Sequence, residues 1–288
     1  MGEFGLSWAV EGSTSVESST GDRSPIERTP EKDAERATAM QARITASHMW
    51  LDALYSSSSE EAQNVYESAA ASMGAGVTDE MRSTMTAQLA DVVQKARVAA
   101  HAQGALDVVE ELAAAFPDAK ELALASGPEP VPSQVREFVD NAVGIALELV
   151  RDAIESGDGE IRELLAAQGW RGVRVARTEA VVAYEQSRRS AHDDLVRNHN
   201  DGSLGFSILE DEDELPEQGR AKDDERNVTV VLALRWGAIL DKRTCLRCRE
   251  IDGRFTILAL PFNGPPLHNQ CRCVAALWPI PWTWTEEQ

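Results

Sequence analysis

Long apolar runs are missing from this chain. Nothing in its 288 residues approaches the ~18 uninterrupted apolar positions that a membrane helix needs, so no membrane-spanning role is expected. Basic residues are scarce too. Lysine and arginine number 28 against 48 acidic residues, a formal charge of -20, which argues against a free nucleic-acid binder because phosphate recognition relies on clustered cations. No G-x-S-x-G, phosphate loop or dinucleotide fingerprint occurs, which leaves ordinary hydrolase, nucleotide-hydrolase and dehydrogenase mechanisms without parts. The first residues, MGEFGLSWAVEG, lack both a basic start and a sustained apolar stretch, so no secretory signal is expected and cytosolic residence is the default.

What the chain does have is helix pattern. Residues 1–30 are rich in serine, threonine, glycine and charge, the composition of a flexible arm. From residue 31 onward apolar residues recur at three-to-four spacing. Met40, Ile44, Met49, Leu51, Leu54 and Tyr55 suggest a helix pair interrupted by the serines 56–59. Thr78 before Asp79 and Glu80 is a helix start, and Leu106 to Phe116 reads as a separate shorter segment stopped by Pro117. Ser133 is placed to cap a helix whose core stripe is Val135, Phe138, Val139, Ala142, Ala146, Leu149 and Ala153. A last helix spans Arg171 to about Asn198. An acidic run, EDEDELPEQGRAKDDER, then separates helix from strand, VTVVLALRW. With a second strand at 254–260 after the Asp252-Gly253 turn, a small hairpin is expected. The sum is an α+β chain: a flexible arm at 1–30, a mostly helical array at 31–170, a helix-plus-β-hairpin module at 171–276, and a Trp/Pro-rich tail at 277–288.

All four cysteines fall within that module, inside 29 residues: C-x2-C at Cys245 and Cys248, then His268-x2-Cys271-x-Cys273. Two cysteines two apart direct both sulfurs at one ion, and a second pair returned by a hairpin completes a tetrahedral shell that suits zinc. Five candidates compete for four positions; four cysteines, or three with His268, both satisfy the spacing, and we favour four cysteines. A full sulfur shell makes the metal structural, since catalytic zinc keeps a position open for water. Disulfides are the competing reading. The remaining histidines form no metal spacing, and His192-Asp193-Asp194 reads as a solvated helix face rather than a nuclease carboxylate set. Although the chain is acidic, Arg235 to Cys273 has seven basic against three acidic residues. Arg243, Arg247, Arg249, Arg254 and Arg272 therefore surround the metal as candidates for phosphate contact or for hydrogen bonds to the thiolates. Trp278, Trp282 and Trp284, stiffened by Pro279 and Pro281, are candidates for docking on a partner, with folding back on the hairpin as the alternative.

Taken together, A-R-T-E-A at 176–180, the strand ending in Trp236, DKRTCLRCREIDGRF at 241–255 and PPLHNQCRC at 265–273 resemble the Mu F-like phage head morphogenesis family. The resemblance covers about residues 170–275; the N-terminal helices carry no comparable signature, and Asn269 stands where the family commonly has proline. It implies a minor head protein of a tailed phage or prophage, held in the head interior near the portal and passing through host cytoplasm during assembly. Its implied partners are the portal, the major capsid or scaffold protein, and packaged double-stranded DNA. No settled enzymatic activity is implied, so a structural part is expected. The alternative is a zinc-dependent nuclease or ADP-ribosyltransferase-like effector carried in the head, the latter because arginine and glutamate recur at Arg177 and Glu179.

Overall fold

The computed structural model describes residues 30–74, 76–130, 132–157, 160–199, 206–208, 230–238, 244–258, 265 and 271–280. The order is α1 (Pro30–Ser72), α2 (Asp79–Ala115), a 3-10 turn (Pro117–Glu121), α3 (Pro132–Ser156), α4 (Ile161–Ala167), α5 (Gly169–Asn198), β1 (Phe206–Ile208), β2 (Val230–Gly237), α6 (Leu246–Ile251), β3 (Phe255–Ile257) and β4 (Val274–Ile280). The chain is α+β. Among the described residues no helix is long and apolar enough to cross a membrane. The flexible arm expected at 1–30 lies outside the described residues apart from Pro30, as does the whole acidic run.

Two expected interruptions do not occur. α1 runs unbroken through the serines 56–59, because their hydroxyls donate to carbonyls one turn back instead of breaking the helix. Ser56 donates to the Asp52 carbonyl at 2.9 Å and Ser58 to that of Leu54 at 2.8 Å, while Tyr55 and Ala62 are buried on either side. Leu106 to Phe116 is likewise not a separate segment but the final turns of α2, which ends where Pro117 cannot continue it. Thr78 does cap α2: its hydroxyl oxygen accepts the Met81 amide at 3.1 Å. α3 begins at Pro132, so Ser133 lies inside its first turn, a place where proline's fixed φ and missing N–H suit the helix start. Its apolar arc is wider than the core covers: Val135, Val139, Ala142, Ala146 and Ala153 are buried, whereas Phe138 and Leu149 are exposed.

α5 is the central helix. Its alanines pack against both α1 and α2, and α2 approaches so closely that a Cβ added at Gly104 would lie 2.4 Å from the Tyr184 carbonyl oxygen. One core, with Tyr66, Leu89, Val139 and Leu165, joins α1 to α5. A second, with Met40, Val108, Leu112, Leu195, Leu232 and Leu277, runs from the helices into the sheet. The boundary drawn at 170/171 therefore marks a change of sequence pattern, and packing crosses it.

β2 is the centre of the sheet. β4 pairs antiparallel along its whole length, from Val231 opposite Ile280 to Gly237 opposite Val274. The opposite edge is shared end to end: β1 lies parallel to Val230–Leu232 and β3 antiparallel to Ala233–Arg235. Leu277 to Ile280, the first residues of the tail, complete β4. Prolines usually exclude a strand, but Pro279 sits where alternation turns its nitrogen away from β2, so no ladder bond is lost.

The outer edge of β4 is covered by helix side chains. Ala275 receives Arg188 on its carbonyl, from Nε at 3.1 Å and Nη2 at 2.6 Å, and gives its N–H to Glu185. Leu277 gives its N–H to Glu111 at 2.9 Å, and Glu111 pairs with Arg188 at 2.7 Å. Tyr184 donates to Asp107 at 2.5 Å and accepts from Arg188. All of these groups are buried. Burial opposes the charge on Arg188, yet Glu111, Tyr184 and Glu185 outweigh it and hold the guanidinium protonated. Strand amides that would otherwise be orphaned are paired with side chains from α2 and α5.

Candidate metal centre

The cysteines meet where β2, α6 and the start of β4 converge. Cys245 is the N-cap of α6, and its sulfur accepts the Cys248 N–H at 3.3 Å, so the C-x2-C turn holds both sulfurs on one side. Cys271 and Cys273, two apart on an extended approach to β4, share a face. Cys248 and Cys271 sulfurs lie 3.9 Å apart, and the sulfurs of Cys248, Cys271 and Cys273 all fall within 4.8 Å of one another. These three are buried, and Cys245 is half-buried against the same cluster. None of the four is in a disulfide.

The surrounding chain is built to hold that turn. Trp236 packs over the sulfurs. Asp252 accepts the Ala238 N–H at 2.7 Å, and the Gly253 N–H donates to the Trp236 carbonyl at 2.8 Å. Gly253 has φ 77°, a conformation that favours glycine, which explains the Asp-Gly pair. β2 and β3 do run antiparallel as expected, but α6 occupies their connection, so they are not a tight hairpin.

Electrostatics favour a cation at this point. Burial, followed by the Cys245 sulfur beside it, pushes the Cys248 thiol up to about 12. Cys273 is raised by its contact with Cys271 and then by burial. Several buried thiolates in mutual contact repel one another, and a divalent ion would reverse that by stabilising each of them. The donor set fits a metal: Cys248, Cys271 and Cys273, with Cys245, lie close enough to hold one.

Other expected site residues are dispersed. His268, Arg243, Trp282 and Trp284 lie outside the described residues. Arg247, Arg249 and Arg254 are exposed around the centre, as a phosphate-facing or solvated residue would be. Arg272 is not on that surface: its side chain is largely buried, with Nη1 3.8 Å from Asp52 of α1. Trp278 is half-buried on its own sheet, its ring 6.4 Å from that of Phe255 with the Arg235 guanidinium 4.4 Å above it. Arg177 donates to Ser59 at 2.8 Å, while Glu179 is buried in an ion pair with Arg97, so the two do not form a joint site.

His192 departs from the solvated-face reading. It is buried, and burial followed by Arg188 and Arg189 holds it well below its usual value as a neutral ring; Asp193 is exposed. Sequence reasoning also passed over Asp107, Glu111, Glu185 and Arg188. Their signal was available: charged residues on the apolar faces of alanine-rich helices, where a lone charge is costly and a partner is required. Nothing local names that partner, because it is a strand some 90 residues away. Burial pushes Glu185 up to about 8, with the charge of nearby Cys271 adding to it.

No protein-family model, no curated protein and no solved structure matches the chain.

Proposed function

We propose that this chain is a minor head protein of a tailed phage or prophage, seated near the portal vertex, and that it serves head assembly, DNA packaging or DNA ejection as a structural part. Zinc is the metal we assign to the cysteine centre, in a structural role. The supporting observation is the ordered series Arg177-Thr178-Glu179, Trp236, Thr244-Cys245-x2-Cys248, Asp252-Gly253 and Cys271-Arg272-Cys273, whose Trp, Cys and Asp-Gly members share one packed unit. A largely buried sulfur shell suits zinc, a borderline-soft ion that takes thiolates in tetrahedral geometry. The zinc would hold α6 against the start of β4, and the chain's own contribution is the Trp236 cover and the Asp252-Gly253 turn. Arg247, Arg249 and Arg254 are the residues we assign to packaged DNA.

Location is the decisive measurement. Mass spectrometry of purified capsids should find the chain in low copy number, co-purifying with the portal protein; a chain recovered only from the soluble fraction overturns the assignment. Elemental analysis should give about one zinc per chain, lost in Cys248→Ser/Cys271→Ser. A metal-free wild-type protein with full protection of residues 245–274 would remove the zinc assignment and leave the location test standing.

A further inference from the structure

The outward face of α3 carries apolar residues that the fold leaves uncovered. Phe138 is 55% exposed, Ile145 38% and Leu149 39%, at steps of seven and four along one side of the helix, with the buried Ala142 between the first two. That spacing is the seam of a helix that packs along another helix. It extends about 16 Å at the ~1.5 Å rise per residue of an α-helix, three turns. The stripe is separate from the buried face of Val139, Val143, Ala146 and Val150, which packs into the helical core. Phe138, Ile145 and Leu149 thus keep apolar surface open after folding.

The border of the stripe says what covers it. At about 100° per residue, Asp152 and Glu148 flank its solvent side, with Glu137 and Glu155 beyond them, all exposed. Arg136 and Arg151 lie on the far side of the helix, next to Asp140, which Arg82 already engages at 2.9 Å. A second copy would set this acidic border against its own equivalent. The chain's three longest segments outside the described residues are no better matched: residues 1–29, 209–229 and 281–288 are each net acidic. We infer that the α3 face is a docking site for a helix of another protein whose apolar seam is flanked by lysine or arginine. Phe138, Ile145 and Leu149 enter that seam, and Glu148 and Asp152 pair with its basic flank. This inference stands apart from the head-protein reading and needs no metal.

The test uses the full chain and a fluorescein-labelled synthetic helix of about five turns, with leucines at seam positions and lysines on both flanks, read by fluorescence anisotropy. Binding should weaken as salt rises. It should fall about tenfold or more in Phe138→Ser/Ile145→Ser/Leu149→Ser, read at a temperature where circular dichroism shows that variant folded, and severalfold in Glu148→Lys/Asp152→Lys, whose side chains are exposed. A glutamate-flanked version of the peptide should bind at least tenfold more weakly. Equal binding by the triple variant, equal binding of the two peptides, or no binding of the lysine peptide by the wild-type chain overturns the proposal. So does a wild-type dimer in sedimentation that the triple variant dissolves, which would make the occupant a second copy.

Discussion

The helical body, residues 30–199, and the sheet with its cysteine centre, residues 230–280, satisfy their backbones by different means. Helices pair their own amides, so α1 to α5 meet mainly through apolar contact, with ion pairs such as Arg97–Glu179 added to it: small residues let them approach, and Leu89, Val93, Val139 and Leu165 fill what remains. β4 cannot do this. Its inner edge pairs with β2, but its outer edge depends on Glu111, Glu185 and Arg188, and the chain leading into it carries Cys271 and Cys273, whose sulfurs cluster with that of Cys248. A helical region can be stable by repetition, whereas a short sheet at the chain's end has to draw its partners from elsewhere.

The strongest way to break that comparison is Arg188→Ala. It leaves the buried Glu111 without its cation and frees the Ala275 carbonyl, so equilibrium denaturation should show a loss of about 3–5 kcal/mol, with hydrogen exchange rising first in β4. Next in size is Gly104→Ala, which acts on the helical body. The new methyl would meet the Tyr184 carbonyl oxygen at 2.4 Å and the Ser187 Cβ at 2.9 Å, and parting α2 from α5 should cost about 1–3 kcal/mol. Metal removal should fall on the other side: a chelator should raise exchange at 245–258 and 271–274 while protection in α1, α2 and α5 persists.

Titration sharpens the contrast. His48 is lowered from 6.5 to about 4 by burial and His192 is lowered as well, so the unfolded chain binds more protons than the folded one below pH 6.5 and stability rises with pH up to there. Glu185 acts with the opposite sign. Its carboxyl is raised from 4.5 to about 8, so the folded chain holds the extra proton and stability falls as pH climbs between those values. Above pH 6.5 only the glutamate's effect remains of these three, so melting temperature should decline from there to about pH 8. The decline is bounded by about 1.4 kcal/mol per pH unit and should flatten in Glu185→Gln. The smallest effect belongs to Thr78→Ala, about 1 kcal/mol from the lost cap of α2, with the cysteine centre untouched.

Legibility followed the same division. The helix starts at Thr78 and the stop at Pro117 were readable because capping and proline chemistry act over a few residues. The cysteine cluster was readable because its spacing is a local constraint on two turns. The serines 56–59 misled because whether a hydroxyl breaks a helix or bonds back into it depends on burial of its neighbours. β4 was hidden by Pro279, whose tolerance rests on which way one nitrogen faces in a ladder with a strand 47 residues earlier.

The sequence by itself determined the α+β class, the helical pattern of residues 31–198 and the set of sulfurs available to a metal, since these arise from periodicity and short-range geometry. Tertiary structure alone decided that α5 packs between α1 and α2 while those two helices meet β4, that Arg188 and Glu111 clasp β4, and that the Phe138 stripe is left outside. Each of those depends on which surfaces meet, and a buried charge or a bare apolar seam acquires its meaning only from what is packed, or absent, across from it.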